Sequence, residues 1–365
     1  AQLWVSGVDI DWTLLPRGAQ VRRISLPTYP FARQRYWAAQ ADGLVETVAG
    51  QNAAGSPGGL HPLLDRNDST LQAQCYSKLL RGDEFYLTDH RIAGQKTLPG
   101  VAYLEMAWAA GELAQPGTTI RGLHQIVWAR PISVDHEAVT ARIELYPLAS
   151  GQVAFEITTE DAMGQAQIHA QGRLEYATAD AGPATPEPRQ FDLEAIRARS
   201  SEQVSQASCY ARFATTQLDY GAHFQAIHWL WRNDEEALAR LQLPDQVQHG
   251  LASFTFHPAL LDGALQTVTG YMGQSTDPTP YLPFALEHIE RLGPLGATGY
   301  AYVRRAAEGQ PATDAGTIKF NVSLLDDSGR EHTRLTHLSA RALHSPSLAT
   351  LYYQPVWTEA ARVTA

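Results

Sequence analysis

The sequence predicts an α+β fold of two similar units, each an antiparallel sheet wrapped around one long apolar helix. Three observations carry this. Two segments, "GVAYLEMAWAAGELA" (100–114) and "HPALLDGALQTVTGYMG" (257–273), read as long, largely apolar helices. The first is apolar nearly all round, which demands burial on most sides. After each comes a set of alternating apolar and polar positions, the mark of half-buried strands. The order also repeats: helix, then "LHQIVWARPI" or "LEHIERLGPLG", then strands. A twisted antiparallel sheet around a central helix supplies the burial, and two such units side by side leave a cleft at their seam.

Taken along the chain, residues 1–37 form a segment of their own. "RRISLPTYPFARQRYW" is basic and aromatic, and Pro27 and Pro30 block a helix there. Such an extended stretch cannot bury Tyr29, Phe31, Tyr36 and Trp37 alone and is expected to pack on a neighbour. Residues 38–59 are a small-residue linker ending in Ser-Pro-Gly-Gly. The first unit is placed at 60–190. In it the run "FYLTDHRI" reads as strand-like and precedes the helix at 100–114. Val139, Ala141, Ile143 and Leu145, then Val153, Phe155 and Ile157, then Ile168, Ala170 and Leu174 follow as an antiparallel meander. "ATADAGPATPEPRQ" (177–190), with three prolines, closes it as a second linker. The second unit is placed at 191–345; Ile318, Phe320, Val322 and Leu324 alternate there, and Asp327-Ser328-Gly329 supplies a turn. Residues 346–365 trail into whatever follows.

Composition removes several function classes. A net charge of −10 lacks the basic footprint of nucleic-acid binding. No apolar run is long enough for a membrane span, and the first residues lack the layout of a signal peptide. Cys75 and Cys209 are far apart and belong to no Cys/His cluster, so neither a metal site nor a disulfide framework is expected, and a cytoplasmic, reducing setting is.

Chemistry concentrates in four short stretches. In "DHRIAGQKTLPG", His90 is followed by Gly94, Pro99 and Gly100. Proline suits the first helical position, and a glycine lets a ligand approach the free N–H groups at the positive end of the helix dipole. A histidine beside that site can take a proton next to a carbonyl while the amides hold the developing enolate. A histidine that merely satisfies a local hydrogen bond is the plainer reading. In "HPALLDGALQ", Asp262 sits among leucines, with Gln266 one turn on and on the same face. Burial would raise its pKa and make it a proton donor, with Gln266 to orient it; an exposed Asp on a polar stripe is the plainer reading. In "LDYGAHF", Tyr220 can donate to a substrate oxygen and Phe224 can line a tunnel. In "YLPFALEHIE", Leu282, Pro283 and Phe284 can wall the same cavity or simply open an edge strand.

These residues together resemble the dehydratase domains of modular polyketide synthases. The resemblance rests on HxxxGxxxxP as His90, Gly94 and Pro99, YGxxF as Tyr220, Gly221 and Phe224, DxxxQ as Asp262 and Gln266, and LPF as Leu282 to Phe284. It covers roughly 60–345; Ala222 stands where the family often has proline. It implies a double hotdog fold and loss of water from a β-hydroxyacyl thioester held on an acyl carrier protein. In that picture His90 is the base, Asp262 the acid, and the amide of Gly100 or Val101 holds the thioester oxygen. Tyr220 and Gln266 position the reacting groups; Gly94, Pro99, Gly221 and Phe224 join Leu282, Pro283 and Phe284 around the tunnel. No metal or diffusible cofactor is implied, because phosphopantetheine arrives with the substrate. The resemblance also implies a homodimer and neighbouring ketosynthase and ketoreductase domains in one polypeptide, whose material the two flanks resemble. "HPLLDRNDST" and "RISLPTYPF" lean toward synthases served by a free-standing acyltransferase. Lys78, Arg81, Arg91 and Lys96 are candidates for a carrier-docking patch. The alternatives are a pyran-forming or double-bond-shifting relative, a hotdog thioesterase, and a scaffold that has lost catalysis.

Overall fold

The computed structural model describes residues 59–148, 151–161, 163–177, 187–272, 281–306 and 317–342. The flanks at 1–37 and 346–365, the linker at 38–58 and most of the second linker lie outside these residues.

The first half opens with β1 (Arg66–Asn67) and β2 (Gln74–Leu80), followed by a short helix α1 (Phe85–Thr88). A small hairpin comes next, β3 (His90–Ile92) and β4 (Gln95–Lys96), then the long helix α2 (Gly100–Ala114). Strands β5 (Ile120–Trp128), β6 (Val139–Pro147), β7 (Val153–Glu160) and β8 (Ala166–Tyr176) complete it. In the second half α3 (Leu193–Ala198), β9 (Glu202–Ser205) and α4 (Gln206–Thr215) lead to β10 (Leu218–Tyr220). Strands β11 (Ile227–Arg232) and β12 (Glu236–Gln242) and a short α5 (Asp245–Gln248) precede the long helix α6 (Pro258–Met272). Strands β13 (Tyr281–Arg291), β14 (Thr298–Arg305), β15 (Thr317–Leu325) and β16 (Glu331–Ala342) follow it.

Among the described residues thirteen strands form one antiparallel sheet in the order β1-β2-β6-β7-β8-β5-β13-β16-β15-β14-β12-β11-β9. The two halves repeat a topology: the strand after each long helix is hydrogen-bonded to the last strand of its own half, β5 to β8 and β13 to β16. At the seam β5 and β13 pair with each other, Val127 opposite Ala285 and Gly122 opposite Glu290. Helix α2 is buried continuously from Val101 to Gly111, as an all-round apolar helix must be. The two long helices touch each other inside this wrap.

One sequence expectation changes. Residues 85–88 are not strand; Leu87 and Thr88 both donate backbone N–H groups to the Glu84 carbonyl, which closes a helical turn, and only His90–Ile92 is extended. The segment Leu282–Phe284 opens β13 as a local edge: β16 pairs with it on one side, while the β5 ladder begins only at Ala285, and the missing N–H of Pro283 coincides with a bulge between Pro283 and Ala285.

Candidate active site

The site begins with the hairpin that carries His90. Its two-residue turn, Ala93-Gly94, has φ of 51° and 81°, left-handed at both positions. That is the twist a tight hairpin needs, and glycine takes it without strain. The turn brings the chain back so that Thr97 faces His90. The Thr97 N–H donates to the His90 carbonyl at 3.0 Å, and the His90 ring meets the Thr97 carbonyl at 2.7 Å through Nδ1. A carbonyl only accepts, so Nδ1 carries the proton and Nε2 of the neutral ring keeps its lone pair.

Pro99, extended at φ −62° and ψ 144°, caps α2 rather than opening it. The first hydrogen bond there runs from the Ala102 N–H to the Pro99 carbonyl, so the N–H groups of Gly100 and Val101 lie ahead of it. Trp128 donates its indole N–H to the Gly100 carbonyl at 2.9 Å and fixes this end of the helix.

The second half supplies the carboxyl group. Asp262 is 4% exposed, in the middle of α6 among Leu260, Leu261, Ala264 and Leu265. Burial raises its pKa above the ordinary carboxylate value; the His90 ring and the Gln266 amide oppose that rise without cancelling it. Gln266 donates from Nε2 to Asp262 Oδ2 at 2.8 Å and to the Phe224 carbonyl at 3.0 Å. The other oxygen, Oδ1, lies 4.0 Å from His90 Nε2.

A second, three-stranded sheet brings these halves into register: β10 pairs with β3, and Tyr220 stands opposite His90. The Gly221 N–H donates to the Asp89 carbonyl at 2.9 Å. The Asp89 carboxylate accepts the backbone N–H of His223 at 3.0 Å and meets its Nδ1 at 2.6 Å. A Cβ on Gly221 would sit 2.3 Å from Asp89 Cγ, so only glycine permits this clasp. The ring of Tyr220 meets the edge of His90 at 5.6 Å between centroids, and Phe224 does the same from behind at 5.6 Å. Burial first, then the Asp262 charge, raises the Tyr220 hydroxyl well above its usual pKa, so it remains a donor.

His90, Tyr220, Asp262, Gln266 and Gly100 all line one cavity of about 220 Å³. Leu282, Pro283 and Phe284 form part of its wall, with Arg130 and Arg341. Gly94, Pro99, Gly221 and Phe224 do not line it, contrary to expectation. Gly94 shapes the turn, Pro99 caps the helix, Gly221 admits Asp89, and Phe224 supports His90 from behind. Val101 is fully buried and also off the wall, which leaves its backbone amide as its only route to a ligand.

The proposed basic patch is thinner than its sequence suggests. Lys78 is buried against Asp65 at 2.8 Å; Lys96 donates to the Gly82 carbonyl and Arg91 to the Thr88 carbonyl, and Arg81 is exposed. Among the described residues no group of three potential ligands could hold a metal ion, and no helix is long and apolar enough to cross a membrane.

Sequence reasoning missed Thr97, Asp89 and Tyr210. Thr97 and Asp89 act partly through backbone carbonyls, which any residue carries. Tyr210, whose hydroxyl reaches Gln266 at 2.8 Å, lies 56 residues from its partner, and no local pattern marks it.

Comparison with known proteins points to one family. The family model "Polyketide synthase dehydratase domain" matches residues 61–160, and "Polyketide synthase dehydratase N-terminal domain" matches 188–350. A crystal structure of a trans-AT polyketide synthase dehydratase domain from Brevibacillus brevis is 36% identical, with a TM-score of 0.74, over 79% of this chain and 100% of that one. The dehydratase domain of RzxB from Pseudomonas fluorescens is 32% identical, with a TM-score of 0.67, over 78% of this chain and 100% of that one. Polyketide synthase PksN of Bacillus subtilis is 36% identical over 93% of this chain, which spans only 6% of that synthase. A double hotdog with these relatives has one assignment: the chain belongs to the dehydratase domains of polyketide synthases, which remove water from β-hydroxyacyl intermediates.

Proposed function

We propose that this domain takes a β-hydroxyacyl thioester on the phosphopantetheine arm of an acyl carrier protein and returns the α,β-unsaturated thioester. The observation that carries the reading is the pair of His90 Nε2, bare by its tautomer, and Asp262 Oδ1, on a carboxyl whose pKa burial raises, 4.0 Å apart in one cavity. Nε2 takes the α-proton, and the electron pair of that C–H bond forms the new double bond. The β-carbon–oxygen bond breaks as Asp262 gives its proton to the departing hydroxyl, which leaves as water. Charge on the thioester oxygen during this step is met by the amide of Gly100 or Val101. Tyr220 holds the hydroxyl. His90 then carries the proton that Asp262 has lost, and its return across the gap between them resets the site.

This chemistry calls on no metal and on no cofactor beyond the carrier's arm. Asp262 is the only carboxylate among the described lining residues, and the burial that raises its pKa suits an acid better than a thioesterase nucleophile. Pro99 and Asp262 are both in place, which favours simple dehydration over the double-bond-shifting or pyran-forming variants. The proposed setting is a cytoplasmic homodimer within a synthase of the trans-acyltransferase type, between ketosynthase and ketoreductase domains. The similarity to the Brevibacillus brevis domain supports that type.

Mass spectrometry of a 3-hydroxyacyl-pantetheine thioester with the domain tests the reading. Loss of one water is expected with the native protein and a drop of ~10²–10⁴ in rate with His90→Ala. A free acid would reveal a thioesterase, and a cyclic product seen by NMR a pyran-forming enzyme.

A further inference from the structure

Behind the catalytic pair lies a buried chain of hydrogen bonds that the reaction as written does not use. The Tyr210 ring, on α4, is half-buried, and its hydroxyl reaches into the core beside α6. It accepts the Ile227 backbone N–H at 3.0 Å, and stands 2.8 Å from Gln266 Oε1 and 3.3 Å from the Phe224 carbonyl.

The donors and acceptors in this chain follow from its fixed members. The Phe224 carbonyl only accepts, so the Gln266 atom facing it at 3.0 Å must be the amide nitrogen. Its second hydrogen then points at Asp262 Oδ2, 2.8 Å away. The Tyr210 hydroxyl already accepts from Ile227, so its own hydrogen is free to go to Gln266 Oε1, the nearer of its two acceptors. Each atom of the Gln266 amide is thereby committed. Asp262 Oδ2 receives an N–H; the carbonyl oxygen of a protonated carboxyl is the better acceptor, so this bond favours the acidic proton on Oδ1, the oxygen that faces His90 across the cavity.

We infer that Tyr210 is a positioning residue for the dehydration: by holding the Gln266 amide in one orientation, it keeps the Asp262 proton on the oxygen that faces the substrate. The inference rests on the proposed role of Asp262 as acid and extends it. Tyr210 touches neither substrate nor His90; it acts through Gln266.

The test is a double-mutant cycle on turnover of a 3-hydroxyacyl-pantetheine thioester, assayed well below each variant's unfolding temperature. Tyr210→Phe removes the hydroxyl and keeps the ring. Its kcat is expected to fall about tenfold, the weight of one hydrogen bond, with KM little changed. The alkaline limb of its kcat–pH profile is expected to move to higher pH, because a loosened Gln266 donates less well to the carboxylate. In a Gln266→Ala background the same tyrosine change is expected to cost nothing further and to leave the limb where it is. If the two losses multiply instead, or if Tyr210→Phe leaves both kcat and the limb unmoved while Asp262→Asn is inactive, the inference is overturned and the acid role of Asp262 stands. If Asp262→Asn turns over normally, both fall together.

Discussion

Each of the two long helices buries a carboxylate, and their surroundings are opposite. Glu105 on α2 is 1% exposed; it accepts the backbone N–H groups of Thr255 and Phe256, at 2.8 and 2.6 Å, and meets His61 Nε2 at 3.0 Å. Asp262 on α6 is 4% exposed and has a single side-chain donor, Gln266, on the oxygen turned away from the cavity. Burial alone therefore does not make an acid. Glu105 is surrounded by donors that suit a charged acceptor, and it ties the first helix to the loop that leads into the second. Asp262 is left one oxygen with no fixed partner in hydrogen-bond range, in a cavity, and burial raises its pKa, as the proposed acid role requires.

The contrast is sharpest in activity. Asp262→Asn keeps the shape and loses the proton, so turnover is expected to drop by ~10²–10⁴, read as water loss by mass spectrometry, with the fold intact. Glu105→Ala should do the reverse. Thr255 and Phe256 would each lose an acceptor at ~1–3 kcal/mol, and the urea midpoint should fall well below that of Asp262→Asn. Equal stability for these two variants would break the comparison.

A third measurement uses pH. The folded-state pKa of Asp262 lies above its unfolded value, so the unfolded chain releases this proton first as pH rises. The group's favourable contribution is complete below the ordinary carboxylate pKa and is lost as pH climbs through the folded one. Asp262→Asn removes that term, so its Tm should gain on the native protein as pH rises across this window; parallel curves would count against a retained proton. The smallest effect is expected from Gly94→Ala, where φ of 81° strains any side chain. A loss of ~1 kcal/mol is the expected scale, with a modest drop in kcat because the turn that sets the His90–Thr97 contact loosens.

Much of this was legible in the sequence. Helix α2 runs over the residues that the apolar stretch marks, because an all-round apolar run has to be buried on most sides. His90 and Asp262 stood out because each is a costly group in an apolar setting. What escaped was long-range. "FYLT" has strand-forming residues, yet its backbone closes on Glu84 as a helical turn. The seam itself is made where β13 pairs with β5, a partner some 160 residues away, which no local pattern reveals. Lys78 is not free surface charge because it pairs with Asp65, on the connection between β1 and the preceding turn, a contact its own neighbours in sequence do not signal. Thr97 and Tyr210 were invisible for a related reason: one works through its backbone carbonyl, the other through a glutamine far along the chain.

The pairing of β3 with β10 has a mechanical consequence. The hairpin bearing the imidazole is sequentially part of the front half, yet its backbone is bolted to the rear half at Leu218, Asp219 and Tyr220. Backbone bonds from Leu98 to Ile132 and from Val134 to Lys96 hold the same hairpin to the front half, so any opening of the seam must tear amide links on one side or the other. The spacing between His90 and Asp262 is thus braced from both sides against any parting of the two halves.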